Sequence, residues 1–317
     1  MREPLQLSAL GFGCAPVMGK VGEAQSLRAM AEAFELGVTH FDVARSYGFG
    51  RAEQVVGRFI RGRRDKVTVT TKFGVVPPHV GLRTKTLIPV ARFVSGFLPQ
   101  LNARLRRKSS QLLASRNFDV SYARKCLDQS LASIGTDYID IYLLHEPVSS
   151  LITEPGALIR LLEDSIIAGK IRRWGFAYQT PRDFEWAAAL GGDVIQFEGN
   201  IESLPNCGAI LNDARHKIVT RPFIGGFDEK PALQITLESL AITNLMEELG
   251  ASLSDVSLCL AHALCGHSGS VLCSMFSIKH IKKNVDALSR FARDPRMEYI
   301  ISSILQLEGK IHGIRYL

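Results

Sequence analysis

Short β-branched or apolar runs alternate with helix-periodic stretches along the chain, and this rhythm limits the fold more than any other feature. Residues 10–13, 38–41, 67–71, 139–144, 171–176, 194–197, 218–220 and 270–273 read as strands, eight in all. Helical stripes fall between most of them. In 24–36, Leu27, Met30, Ala31 and Phe34 share one face and Gly37 closes the helix; in 51–60 the inner stripe is Val55, Val56 and Phe59. Further helices are expected at 120–133, 156–168, 181–190, 232–249, 253–264, 279–291 and 297–307. Alternation of this length predicts an α/β chain whose parallel strands close into a (β/α)8 TIM barrel rather than an open sheet.

At 317 residues and 46% hydrophobic, the chain can bury the core of one such barrel and is expected to form a single domain over 1–317. MREPLQLSALGFGC carries one arginine and no sustained apolar stretch, so no secretory signal is expected. No run of about 18 apolar residues predicts a spanning helix. The six cysteines include no C-x-x-C pair and read as reduced thiols used as small apolar residues, with the cytoplasm as the expected location.

The net charge of +7 belongs to one stretch. Residues 75–117, in the loop after the strand bearing Lys72, contain no Asp or Glu. They do contain Arg83, Lys85, Arg92, Arg104, Arg106, Arg107, Lys108 and Arg116. Such a long insertion on a βα loop lies on the functional side of a barrel and is expected to be a lid or an added subdomain. Leu87, Ala91, Val94, Leu98, Leu101 and Leu105 recur at helical spacing, with Pro89 and Pro99 starting or breaking helices there. Three roles fit: a solvated lid, a funnel for an anionic substrate group, or a segment over 83–108 touching anionic lipid. Nucleic-acid binding is not expected, because no recognisable module and little aromatic interleaving are present.

Four polar residues stand at or just past strand ends: Asp42 and Tyr47 in THFDVARSYG, Lys72 in KVTVTTKFG and His145 in YIDIYLLHEP. Barrel strands open their C-termini into one mouth, so these residues converge. A phenol, an ammonium, an imidazole and a carboxylate there can assemble a proton donor for a carbonyl. Singly, each has a plainer explanation: Tyr47 as packing, Asp42 with Lys72 as a buried ion pair, His145 as a loop cap.

The stretches LGFGCAPVMG, GVTHFDVARSYGFGRAEQVVGRFI, TTKFG, LDQSLASIGTDYIDIYLLHEP, GKIRRWGF and KKNVDAL resemble the aldo-keto reductases. The nearest look is to sugar- and aldehyde-acting members, which share FD-x-S before a helix bearing S-L-x-x-x-G, as in FDVS and SLASIG. D-x-A-x-x-Y-G with a strand-end lysine and L-L-H is specific as a set. The resemblance implies a small-molecule carbonyl or sugar substrate and an NADP cofactor, with NAD as the alternative. Tyrosine, with a pKa of about 10, is a slow proton donor until a cation stabilises its phenolate. Lys72 would supply that cation, Asp42 would hold it charged and oriented, and His145 would hydrogen-bond the carbonyl oxygen. Hydride must come from a nicotinamide, since no side chain provides it.

For the cofactor, the resemblance implies Gln196 on the carboxamide and Arg221 stacked on the nicotinamide through its guanidinium plane. Ser274, Lys279, His280 and Asn284 fall at the adenosine end, where Lys279, Lys282 and Lys283 fit a 2′-phosphate or a charged helix face equally. After the strand in IRRWGF the family places Ser-Asn; Ala177 and Tyr178 stand here and cannot make the same contacts. Two function classes follow. The tetrad favours an NAD(P)-dependent oxidoreductase; Ala177, Tyr178 and Met275 favour a catalytically silent barrel kept for binding or regulation. An altered chemistry such as elimination, with the same acid–base set, is a third.

Overall fold

The computed structural model describes residues 5–77, 115–178, 184–223, 240–266 and 268–307, and in it eight parallel strands close into a barrel in chain order. They are β1 Leu10–Gly13, β2 His40–Asp42, β3 Thr68–Phe73, β4 Ile139–His145, β5 Ile171–Ala177, β6 Val194–Glu198, β7 His216–Thr220 and β8 Ser270–Cys273. β8 pairs back onto β1 from Leu10↔Val271 to Phe12↔Cys273, so the sheet has no free edge. The expected (β/α)8 TIM barrel is the observed architecture.

Strand ends differ from expectation in one systematic way. β3, β4 and β5 run on through Lys72, His145 and Ala177, beyond the last residues that look strand-like in sequence. Backbone pairing continues under polar side chains, as in Lys72↔Leu143 and His145↔Ala177. β2 starts two residues late because residues 36–38 are used to leave the preceding helix, Glu23–Glu35. Gly37 takes φ +87° there, and Val38 N–H returns to Ala33 O at 3.0 Å. Between β6 and β7, where the pattern predicts no helix, a 3-10 turn at Leu204–Asn206 and a short helix at Gly208–Leu211 make the connection.

Strand alternation sorts apolar side chains into two groups. Phe12, Phe41, Val69, Tyr142, Trp174 and Phe197 belong to the layer shared with the helices, whereas Ile141, Leu143, Ala177, Val194, Ile218 and Leu272 fill the lumen. Leu5 and Leu7 pack beneath them, where Thr68 Oγ1 donates to Gln6 O at 3.1 Å. Helices approach closely where side chains allow it. Gly57 in helix Ala52–Ile60 faces the end of helix Val120–Ile134, and a Cβ there would stand 2.2 Å from Ile134 O.

The basic segment leaves and re-enters through a paired neck. Val75 and Arg116 form an antiparallel bridge, Val76 N–H donates to Ser115 O at 2.9 Å, and Asn117 N–H donates to Gly74 O at 2.8 Å. The helical stripe and lipid contact expected at 83–108 lie outside the described residues, as do 181–183 and 232–239 of two expected helices. Among the described residues no helix is long and apolar enough to cross a membrane.

Candidate active site

The strand C-termini open on a cavity of about 380 Å³ whose lining includes Asp42, Tyr47, His145, Glu146, Ala177, Gln196, Glu198, Arg221 and Ser274. The loop after β2 places Tyr47. Val43 N–H and Arg45 N–H donate to Thr70 O and Lys72 O at 2.8 and 3.4 Å, and Tyr47 N–H turns back to Ala44 O at 3.0 Å. Gly48 follows at φ +57°, packed so tightly that a Cβ would stand 2.4 Å from Val17 O. Below, buried Glu53 accepts from Thr71 Oγ1 at 2.7 Å and from Arg45 Nη1 at 3.2 Å, tying the loop to helix Ala52–Ile60.

Lys72 lies just under the cavity at 1% exposure. Its Nζ donates to Asp42 Oδ1 at 2.5 Å and to Val43 O at 3.1 Å, and stands 5.4 Å from the centre of the Tyr47 ring. The Tyr47 and His145 rings meet edge to face, 5.8 Å apart at 83°. Burial pulls the Lys72 pKa down, but Asp42 and Tyr47 outweigh it and hold the ammonium above its usual value. Burial raises the Tyr47 phenol, with Lys72 opposing and Asp42, Glu146 and Cys14 adding to the rise. His145 is held well below the usual imidazole range by burial and by the charges of Lys72 and Arg116. A protonated phenol, a charged ammonium and a neutral imidazole therefore share one site. Such a set can give a proton and a hydrogen bond to one acceptor in the cavity.

Of the six cofactor candidates, Gln196, Arg221 and Ser274 line the same cavity. Gln196, at 5% exposure, donates through Nε2 to Asp42 Oδ2 at 2.8 Å. Arg221, at φ +56°, places Nη1 2.7 Å from Glu198 Oε2, while its carbonyl accepts from Asn200 Nδ2 at 3.1 Å. Ser274 Oγ donates to Gly13 O at 3.2 Å. Lys279, His280 and Asn284 stand apart, on helix Ile278–Phe291 after β8. Lys279 and His280 are exposed in its first turn, which Ser277 Oγ caps by accepting from His280 N–H at 3.2 Å; Asn284 is buried one turn on.

The model of the Aldo/keto reductase family matches residues 9–204, more than half of the chain. The chain belongs to the aldo/keto reductase family. It is similar to the aldo-keto reductase yakc [NADP(+)] of Schizosaccharomyces pombe, 29% identical over 193 residues that cover 57% of this chain and 46% of that protein. It is also similar to L-galactose dehydrogenase of Arabidopsis thaliana, 27% identical over 170 residues, or 52% of this chain and 40% of that one. The matches thus span less than half the length of these two relatives. The fold matches an aldo/keto reductase from Klebsiella pneumoniae solved in complex with NADP and acetate, with TM-score 0.65, 20% identity and coverage of 97% and 93% of the two chains.

At the end of β5 and just past it stand Ala177 and Tyr178, where the resemblance implies Ser-Asn. Ala177 puts only a methyl group into the lumen. Tyr178 also borders the cavity, but its ring stacks on Phe176 at 6.0 Å and meets Phe184 edge-on at 6.3 Å. Two cavity carboxylates escape the sequence reading. Glu198 had a usable signal: it lies two residues past Gln196 on one strand, so both share a face. Glu146 had none. Its partner Arg116, at 2.5 Å, is 30 residues back at the end of the insertion, with helix Val120–Ile134 and β4 between them in sequence. The described non-glycine residues with positive φ are Met18, Phe49, Glu146 and Arg221; Glu146 and Arg221 line the cavity, and Met18 packs on Gly48 beside Tyr47, where backbone strain is commonly kept for function.

Proposed function

We propose that this aldo/keto reductase is an NADP-dependent oxidoreductase, interconverting the carbonyl of a small aldehyde, ketone or sugar hemiacetal with an alcohol or lactone. The observation that carries this reading is the Asp42–Lys72–Tyr47–His145 cluster, set at one cavity with Gln196 and Arg221. In reduction, Tyr47 gives its proton to the carbonyl oxygen as negative charge builds there. The Lys72 ammonium stabilises the phenolate left behind, and Asp42 keeps that ammonium charged where burial alone would discharge it. Neutral His145 donates a hydrogen bond to the same oxygen and sets the direction of the carbonyl. In oxidation Tyr47 takes the proton back.

NADP, when bound, supplies or accepts the hydride. The residues present fit its nicotinamide. Gln196 has a second N–H, and its Oε1 accepts no hydrogen bond from the described residues, so both can meet a carboxamide; Arg221 offers a planar face. Ser274, Lys279, His280 and Asn284 are assigned to the adenosine end, where Lys279 would face a 2′-phosphate; Lys282 pairs with Glu32 and Lys283 donates to Ser254 Oγ. The NADP named for the yeast relative and for the Klebsiella complex supports that choice over NAD. Glu146, Glu198 and Thr220 make the cavity polar enough for a hydroxylated substrate, in keeping with the name of the plant relative. The chain is read as a single barrel with 75–117 inserted as a lid, and the paired neck supports this.

A second reading, a silent barrel retained for binding, is favoured by Ala177 and by Tyr178, whose ring is held against Phe176. Fluorescence titration of NADPH and NADH, followed by an aldehyde and sugar panel with wild type and Tyr47→Phe, separates the two. Binding with Tyr47-dependent turnover is expected. No binding of either nucleotide sinks the oxidoreductase; binding with no Tyr47-dependent turnover points to the silent barrel.

A further inference from the structure

Asp42 and Gln196 come from β2 and β6, four strands apart in the closed ring, so the bond between them crosses the whole barrel. Both carboxylate oxygens of Asp42 are taken: Oδ1 by Lys72 Nζ at 2.5 Å and Oδ2 by Gln196 Nε2 at 2.8 Å. None of the three residues is more than 5% exposed. Leu143, Ala177 and Leu272, which β4, β5 and β8 contribute to the lumen, are apolar and offer Oδ2 no side-chain donor. A carboxylate gripped at one oxygen can rotate about its Cβ–Cγ bond. Gripped at both, its plane is fixed, and with it the line along which it holds the Lys72 ammonium beside Tyr47.

We propose that Gln196 is a positioning residue for proton transfer: through Asp42 it fixes Lys72 against Tyr47, while its other N–H and its Oε1 face the cavity to receive the nicotinamide carboxamide. One side chain then couples the seating of the cofactor to the acid–base set, a role that rests on the reductase reading. With a methyl at Ala177 and the Tyr178 ring packed on Phe176 and Phe184, Gln196 is the amide at the cavity that can take the carboxamide, so both demands meet at one side chain. The charged or titratable groups facing Tyr47 are Lys72 on β3, Asp42 on β2, Cys14 after β1, and His145 and Glu146 at the end of β4. Gln196 changes the charge of none of them; it acts on their geometry.

Two substitutions test this. Gln196→Leu removes the donor at similar bulk, and Gln196→Glu keeps the shape but makes the donor titratable. At saturating NADPH, Gln196→Leu is expected to lose roughly 10- to 100-fold in kcat and to shift its pH profile by about one unit. Its NADPH affinity is read separately by fluorescence. Gln196→Glu is expected to regain kcat as pH falls, when the introduced carboxyl takes up a proton and donates it to Asp42 Oδ2. Weaker NADPH binding in both variants, with wild-type kcat and pH profile at saturation, would confine Gln196 to the carboxamide and overturn the proposal.

A second measurement uses neither cofactor nor turnover: thermal unfolding of Asp42→Ala, Gln196→Leu and the double variant. The losses are expected to be non-additive, because the second substitution removes a partner from a bond already broken. Additive losses overturn the positioning role whether or not NADPH binds. A wild type that binds no NADPH yet shows coupled losses would instead defeat the reductase reading and leave the Asp42–Gln196 linkage standing.

Discussion

The barrel lumen holds two polar layers, and they differ in what burial has done to them. In the lower, His40 Nε2 lies 2.8 Å from Thr70 Oγ1 and Nδ1 lies 3.0 Å from Ser270 Oγ. His40 is fully buried, and burial, with the charge of Lys72 adding, pulls its pKa down to about 3. In the upper layer Lys72 is just as buried but stays charged, because Asp42 faces it at 2.5 Å. Hydroxyl partners let burial neutralise the imidazole and close that layer into a satisfied plug. A carboxylate partner lets the ammonium survive, and the cavity above puts that charge within reach of a substrate. Burial alone does not make a site. Burial with a paired charge and an opening does.

The comparison breaks most sharply at Lys72. Lys72→Met leaves Asp42 buried without its counter-charge, so a loss of roughly 3–5 kcal/mol in denaturant unfolding is expected together with loss of turnover. An unchanged unfolding midpoint would mean that the upper layer is no more charged than the lower. Tyr47→Phe separates chemistry from packing: turnover should drop by roughly 10²- to 10⁴-fold. Stability should move by no more than about 0.5 kcal/mol. Retained turnover would remove Tyr47 from the proton path.

The lower layer should answer in the opposite sense. His40→Leu strands Thr70 and Ser270, and a cost of about 1–3 kcal/mol is expected with kcat unchanged. A kcat effect would show that the lower layer is not merely structural. Its pH dependence has a definite sign. The folded pKa of His40 lies below the ordinary imidazole value, so its contribution is present above that value and fades as pH falls toward about 3. His145, also depressed, adds in the same direction. Removing His40 should flatten wild-type stability against pH in this window by up to about 1.4 kcal/mol per pH unit, one proton's worth. Urea unfolding across the acid range reads this directly, and an unchanged slope would mean that His40 takes its proton while folded.

The smallest effect is expected at the rim. Arg116 and Glu146 are partly exposed, so Glu146→Gln should cost only about 0.2–1 kcal/mol. A severalfold change in KM for a polar substrate, with kcat retained, is the expected kinetic result. A loss in kcat equal to that at Tyr47 would move Glu146 into the acid–base set.

Periodicity and strand-end position in the sequence alone determined the eight-strand barrel and the convergence of Asp42, Tyr47, Lys72 and His145. Both follow from a local rule: strands alternate their faces, and parallel strands of a barrel all end at one mouth. Gln196, Arg221 and Ser274, named from the family resemblance, line the same cavity. The local rule could not say that Gln196 would hold Asp42, which is 154 residues away, or that Glu146 would meet Arg116 at the end of the insertion. Nor could it say that His40 would find Thr70 and Ser270. Those contacts depend on strand stagger and on which opposed strands face each other once the ring closes. Only the closed tertiary structure sets that register, because no stretch of a single strand contains it.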